Sequence, residues 1–105
     1  MKSEITVEEL KELFDRHEKI QLLDVREKDE FEIANLGGKL IPLLHLPSRL
    51  DELNPVDPLV VLCHSGNRSA TAANYLRQNG FSNVRNLTGG INAWAARIDP
   101  TMKRY

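Results

Sequence analysis

Short apolar runs that alternate with amphipathic segments constrain the fold of this 105-residue chain more than any other feature. The runs are long enough for strands but too short for helices, and the segments between them repeat apolar residues with helical spacing. The predicted strands are Ile20–Val25, Lys39–Pro42, Leu59–Leu62 and Val84–Leu87. The predicted helices are Thr6–Arg16 with a capping box formed by Thr6 and Glu9, Glu27–Ala34, Pro47–Leu53, Ser69–Asn79 and Ile91–Arg97. This alternation predicts a three-layer α/β domain with a largely parallel central sheet covered by helices on both faces.

The composition favours one globular domain over residues 1–105, because 41% of the residues are hydrophobic and support one modest core. Fourteen Lys and Arg balance fifteen Asp and Glu, so the chain lacks the basic surface expected of a nucleic-acid-binding protein. No stretch approaches the roughly 18 apolar residues of a membrane span. The first residues pass directly into an acidic helical pattern without the apolar core of a signal peptide, so we expect a cytoplasmic location and no membrane contact.

The chain contains one cysteine, Cys63. A single cysteine excludes an intrachain disulfide, a CxxC redox pair and a zinc site built from cysteines. His17 and His45 lack the spacing of metal ligands, and we expect neither a metal nor another cofactor. Two interpretations of the cysteine are open from composition alone: a small buried side chain or a reactive thiol.

The position of Cys63 favours the reactive thiol. It directly follows a predicted buried strand and precedes the helix predicted to begin at Ser69. Backbone amides at such a helix N-terminus favour an anion and lower the pKa of a thiol. Gly66 permits the sharp turn, and the planar fork of Arg68 suits a sulfonyl or phosphoryl group. His64 adds polarity beside the thiol.

The number of residues between Cys63 and Arg68 distinguishes two chemistries for such a loop. A protein tyrosine phosphatase has five intervening residues, which leave room for a phosphate tetrahedron. This chain has four, namely His64, Ser65, Gly66 and Asn67. The shorter ring favours a cradle around a sulfur atom attached to Cys63. Because no second cysteine can resolve such an intermediate as an intrachain disulfide, we expect a persulfide that is passed to an external thiophile.

Three motifs in this order resemble the rhodanese homology domain: Leu22–Glu27 (LLDVRE), Cys63–Arg68 (CHSGNR) and Leu87–Trp94 (LTGGINAW). Within that family the chain is most similar to the domain appended to some adenylyltransferases of molybdopterin and thiamine biosynthesis. The resemblance implies a sulfurtransferase with a parallel sheet of about five strands flanked by helices. One departure is the segment Asn35–Pro42, which replaces the family's Gly-His-Ile-Pro-Gly-Ala and lacks its histidine.

The resemblance also implies roles for individual residues. Cys63 would carry the persulfide, the amides from His64 to Arg68 would hold it, and Arg68 together with His64 would meet a donor anion such as thiosulfate. A thiol or a sulfur-carrier protein would accept the sulfur. The supporting residues are Asp24, Arg26 and Ser69. We expect Asp24 to hold a neighbouring loop by accepting its N–H groups, and Arg26 to pair with a nearby acid such as Glu30.

Three alternatives accompany this interpretation. The chain could use the rhodanese fold as a non-catalytic interaction module, or Cys63 could serve a cysteine-dependent phosphatase or arsenate reductase. For Arg68, the alternative is a salt bridge at the start of the helix.

Overall fold

The computed structural model describes residues 3–105, in which the central element is a parallel sheet of five strands. The strands are β1 (Glu4–Ile5), β2 (Gln21–Asp24), β3 (Lys39–Leu40), β4 (Leu59–Leu62) and β5 (Val84–Leu87). They lie in the order β1-β5-β4-β2-β3, and each neighbouring pair is parallel. The predicted α/β class with a parallel sheet of about five strands is confirmed.

Helices connect the strands in the described part of the chain. They are α1 (Val7–Asp15), α2 (Lys28–Ile33), α3 (Asn67–Gln78) and α4 (Gly90–Arg97), together with the 3₁₀ segments Leu43–Ser48 and Leu50–Glu52. Within residues 3–105, no helix has the length and apolar character needed to cross a membrane.

Both faces of the sheet are covered, as predicted, because alternate side chains of each strand enter different cores. Leu59 and Val61 of β4 pack in one core with Leu76 of α3. Val60 and Leu62 pack in the other core with residues of α1 and α4. The fully apolar sequence of β4 is therefore explained by burial on both sides.

The capping box at the start of α1 is confirmed. The amide of Glu9 donates to the Thr6 hydroxyl at 3.1 Å, and the Thr6 amide donates to the Glu9 carboxylate at 2.9 Å. This reciprocal pair satisfies two amides that the first helical turn cannot bond internally.

Two expectations about the chain before residue 54 were wrong. The segment that was expected to be helical from the start forms strand β1 at Glu4–Ile5, because Glu4 pairs with Asn86 of β5; residues 1 and 2 lie outside the described part. The expected helix Pro47–Leu53 is replaced by the two 3₁₀ segments, the first of which contains Pro47. Proline lacks an amide proton and disfavours continued α-helical bonding.

The strand ends bring the loops after β2 and β4 together. Asp24 and Leu62, the last residues of these strands, are register partners. The amide of Val25 donates to the Leu62 carbonyl at 3.1 Å. Cys63 therefore begins its loop beside the loop that begins at Val25, at the carboxyl edge where parallel sheets hold functional groups.

Gly90 lets the N-terminus of α4 approach the backbone of the Cys63 loop. The Ile91 amide donates to the Cys63 carbonyl at 2.9 Å, and the Asn92 amide donates to the His64 carbonyl at 3.0 Å. A Cβ atom on Gly90 would lie 2.4 Å from the Cys63 carbonyl oxygen and 2.5 Å from that of His64. The residue also has a positive φ of 61°. Both facts explain a glycine here.

We predict that Gly90→Ala destabilises the fold more than Gly37→Ala, a control with φ of +79° and open space around its Cα. Gly37→Ala introduces only backbone strain, and its free energy of unfolding should fall by about 1 to 2 kcal/mol. Gly90→Ala adds a backbone clash and should lower it by about 3 kcal/mol or more. Urea denaturation measures both values, and equal losses would contradict the proposed close approach.

Candidate active site

The sulfur of Cys63 lies at the centre of the site and is surrounded by hydrogen-bond donors. The Gly66 amide lies 3.1 Å from Sγ, and the amide and hydroxyl of Ser69 each lie 3.3 Å from it. The Ser65 amide is a further donor to the sulfur. Cys63 is 1% exposed, so these groups replace the water that would otherwise solvate the sulfur. An anionic sulfur fits this environment.

Two opposing effects act on the pKa of the Cys63 thiol. Burial raises it, whereas hydrogen bonds from the Ser69 hydroxyl and from the amides of Ser69, Gly66 and Ser65 lower it. The hydrogen bonds together outweigh burial, and the pKa lies below its ordinary value of 9.0. Since the thiolate is the nucleophilic form, the loop favours the reactive state of the cysteine.

The local sequence explains the shape of this loop. Gly66 has a φ of +109°, in the left-handed region that favours glycine, and acts as the N-cap of α3. The helix begins at Asn67, two residues before the predicted start at Ser69. This early start turns the Ser69 amide toward Sγ. The side chains of Ser65 and Asn67 are exposed at the rim.

Asn86 of β5 is a site residue that the sequence analysis missed. Its side-chain amide donates to the Gly66 carbonyl at 3.2 Å and to the Glu4 carboxylate at 3.2 Å, while its oxygen accepts from the Ser69 hydroxyl. Asn86 is only 5% exposed. A hydroxyl has one proton, so Asn86 and the Cys63 sulfur compete for it. The sequence signal that could have indicated Asn86 is a side-chain amide within a strand that otherwise contributes apolar residues to the core.

Asp24 and Arg26 form a buried ion pair in the neighbouring loop, with side chains 1% and 0% exposed. The Asp24 carboxylate accepts from Arg26 Nη2 at 2.7 Å and from Nε at 2.9 Å. It also accepts from the Arg26 amide at 3.1 Å. Asp24 was expected to hold a neighbouring loop, but these bonds hold the loop to which it belongs.

Arg26 pairs with a nearby acid, as expected, but this acid is Asp24 and not Glu30, the example that was expected. Arg26 reaches only the backbone carbonyl of Glu30, at 3.3 Å. The Glu30 carboxylate instead binds Arg68 in a bidentate pair, with Nη1–Oε2 at 2.7 Å and Nη2–Oε1 at 2.8 Å. Asp24 and Arg26 lie two residues apart and pair at the strand end. The Glu30 carboxylate is therefore left to bind Arg68 of α3. The salt bridge that was considered as an alternative for Arg68 is thus present in this structure.

Glu30 remains ionised over a wide pH range as a result. Hydrogen bonding to Arg68 is the main cause that lowers the pKa of Glu30 to about 2, against the opposing effect of burial. Bonds from the Glu27 amide and the Tyr105 hydroxyl act in the same direction as Arg68.

Tyr105 contacts both the loop that begins at Cys63 and the loop that follows β2. The sequence analysis also missed it as a site residue. Its ring stacks on His64 with centroids 4.2 Å apart. Its hydroxyl donates to Glu30 at 3.0 Å and accepts from Arg26 at 2.9 Å. No local pattern indicates such a contact, because Tyr105 lies 75 residues from Glu30.

Among residues 3–105, no group of three or more His, Cys, Asp or Glu side chains is arranged so that it could hold a metal ion.

Comparison with known proteins decides the family. The family model described as the Rhodanese-like domain matches residues 6–97. The chain belongs to the rhodanese-like domain family. The predicted resemblance is thus confirmed, and the loop from Cys63 to Arg68 lies within the matched region.

Individual relatives agree with this assignment. The Rhodanese-like/PpiC domain-containing protein 12, chloroplastic, of Arabidopsis thaliana is 44% identical over 90 residues, which cover 81% of this chain and 30% of that protein. Adenylyltransferase and sulfurtransferase MOCS3 of the same organism is 36% identical over 120 residues, covering 98% of this chain and 26% of that protein. This rhodanese-like domain therefore spans about a third or less of the length of these two relatives.

A solved structure shares the fold closely. The rhodanese-like domain protein from Staphylococcus aureus superposes with a TM-score of 0.82 at 35% identity, covering 90% of this chain and 91% of that one.

We predict that Ser69→Ala raises the pKa of Cys63. The substitution removes the hydroxyl donor and keeps the amide, so the thiolate loses one of its hydrogen bonds. The pH dependence of the rate of alkylation by iodoacetamide measures this pKa. Ser65→Ala removes an exposed hydroxyl from the same loop, keeps the amide and should retain the wild-type profile. Identical profiles for the two variants would contradict the role of the Ser69 hydroxyl.

Proposed function

We propose that this rhodanese-like domain is a sulfurtransferase that carries sulfane sulfur as a persulfide on Cys63. The observation that carries the proposal is the buried Cys63 sulfur with hydrogen-bond donors from Ser65, Gly66 and Ser69 around it. These donors stabilise the attacking thiolate, and they suit an outer sulfur atom that bears negative charge. The relative MOCS3 is named as an adenylyltransferase and sulfurtransferase, which supports the same chemistry.

The proposed reaction has two displacements. In the first, the Cys63 thiolate attacks the sulfane sulfur of a donor such as thiosulfate. The donor's S–S bond breaks, its electron pair leaves with sulfite, and Cys63 holds the transferred sulfur. In the second, an external thiophile attacks that outer sulfur and the Cys63 thiolate is regenerated. The acceptor is a thiol or a sulfur-carrier protein.

The proposed cycle requires a reduced thiol between turnovers. A reducing compartment supplies that condition, and we therefore assign the reaction to the cytoplasm. The cycle uses no metal or other cofactor.

We predict that incubation with a sulfane-sulfur donor adds one sulfur, about 32 Da, to the protein, because the product is a cysteine persulfide. Intact-protein mass spectrometry measures the adduct. Cyanide should remove it, since cyanide accepts sulfane sulfur. Cys63→Ser should show no adduct under the same conditions.

Two outcomes would contradict the proposal. One is a wild-type protein that gains no sulfur from thiosulfate or from an organic persulfide. The other is an adduct that persists in Cys63→Ser. Hydrolysis of an aryl phosphate without sulfur transfer would favour the phosphatase alternative instead.

A further inference from the structure

The side-chain amide of Asn86 is held in one orientation. Its Nδ2 donates to the Gly66 carbonyl at 3.2 Å and to both oxygens of the Glu4 carboxylate, at 3.2 and 3.3 Å. A carbonyl and a carboxylate accept hydrogen bonds, so both partners require the nitrogen of the amide and exclude its oxygen. Oδ1 of Asn86 therefore faces the opposite way, where it accepts from the Ser69 hydroxyl.

The Ser69 hydroxyl lies between two acceptors, Oδ1 of Asn86 and Sγ of Cys63. Ser69 is 0% exposed and Asn86 is 5% exposed, so both side chains depend on partners within the protein. The hydroxyl has a single proton and can donate it to only one acceptor at a time. Rotation about the Cβ–Oγ bond of Ser69 is the only movement needed to change from one acceptor to the other.

The charge on Sγ decides which acceptor the hydroxyl serves. A thiolate is an anionic acceptor and competes well against a neutral amide oxygen. When Cys63 carries a persulfide, Sγ is bonded to carbon and to the outer sulfur and has no formal charge, so the amide oxygen is the better acceptor. The outer sulfur does not take this bond, because an external thiophile must reach that atom, whereas Ser69 is fully buried.

We infer that Asn86 is a positioning residue that holds the Ser69 hydroxyl while Cys63 carries a persulfide and releases it to Sγ when the thiolate forms. This inference rests on the proposed persulfide function of Cys63. In the loading step, Sγ loses its negative charge as the new S–S bond forms, and the hydroxyl turns to Asn86. In the unloading step, the electron pair of that bond returns to Sγ and the hydroxyl turns back. No proton leaves the hydroxyl in either step.

Asn86 consequently favours the loaded form of the domain over the free thiolate. In the loaded form, Oδ1 of Asn86 accepts a hydrogen bond. In the thiolate form, the same oxygen is a buried acceptor that has lost its donor, which is costly. Removal of this oxygen leaves the Ser69 hydroxyl with Sγ as its acceptor and shifts the balance toward the thiolate.

The test is a double-mutant cycle in the full chain that consists of wild type, Asn86→Leu, Ser69→Ala and the double variant. Leucine has a similar volume to asparagine and no acceptor. The first readout is the ratio of loaded to free Cys63 at a fixed ratio of thiosulfate to sulfite, measured by intact-protein mass spectrometry. The second is the pKa of the thiol, which is measured from alkylation by iodoacetamide and needs no sulfur donor.

Asn86→Leu should lower the loaded-to-free ratio by about three- to tenfold, which corresponds to one hydrogen bond. It should also lower the pKa of the Cys63 thiol, because the hydroxyl then stays on the sulfur. In the Ser69→Ala background, the same substitution should change the ratio by less than about twofold. A role limited to holding the Gly66 carbonyl would give equal effects in both backgrounds. Asn74→Leu, the same change at an exposed position of α3, should leave both readouts at the wild-type values.

Charged neighbours do not affect the comparison. Arg68 acts on Cys63, and Glu4 binds Asn86. Both charged residues are present in all four forms of the cycle, so an effect that does not pass through the Ser69 hydroxyl cancels in the difference between the backgrounds.

The wild-type protein offers a readout that needs no substitution. The ¹³Cγ resonance of the Asn86 side chain responds to hydrogen bonding at Oδ1. It should lie further downfield in the persulfide form than in the thiolate form. This measurement decides if Asn86→Leu does not fold, and Asn86→Val, which suits a strand, provides a second variant for the cycle.

Two results would overturn the inference while leaving the Cys63 persulfide intact. One is an effect of Asn86→Leu on the loaded-to-free ratio that is the same with and without the Ser69 hydroxyl. The other is an Asn86 ¹³Cγ resonance that does not move between the two forms. A wild-type protein that forms no persulfide would instead refute the proposed function.

Discussion

The hydrogen bonds to the sulfur of Cys63 are the interaction on which the rest of the site depends. A sulfur that is 1% exposed loses nearly all contact with water, and burial alone would keep the thiol neutral. Donors from Gly66 and Ser69 reverse this preference because they converge on the atom that carries the charge. Asn86 contacts both donor residues, because it donates to the Gly66 carbonyl and accepts from the Ser69 hydroxyl.

The parallel sheet provides that support through its register. Asp24 and Leu62 are partners at the ends of β2 and β4, so the two loops that follow them start side by side. Amides at the N-terminus of α4 donate to the carbonyls of Cys63 and His64, which the absence of a Cβ on Gly90 makes possible. The loop is thereby fixed on two sides, and its amides remain free to face the sulfur.

Much of the fold could be predicted from the sequence because its signals are local. Strand β4 is uniformly apolar, and the Thr6 capping box depends on two residues three positions apart. The 3₁₀ segments and the two-residue β1 could not be predicted in this way. The 3₁₀ segments depend on Pro47 and the residues around it, and β1 depends on pairing with a strand some 80 residues further along.

The same distinction between local and long-range signals applies to the residues of the site. Cys63 at a strand end and the glycine turn that follows it are local features, and the sequence identifies both. The partners of Arg68 and Ser69 lie far away in the sequence. The partner of Arg26 depends on competition between two acids, Asp24 and Glu30, and the example expected from the sequence, Glu30, binds Arg68 instead. Asn86 and Tyr105 enter the site from distant elements and carry no motif of their own.

The direct test of this account is the titration of the Cys63 thiol. The ultraviolet absorbance of the thiolate, measured against pH in the wild type and corrected with Cys63→Ser, gives its pKa. The account predicts a midpoint below the ordinary 9.0, because the hydrogen bonds outweigh burial. A midpoint at or above 9.0 would mean that burial dominates, and it would contradict the view of this loop as a thiolate-stabilising site.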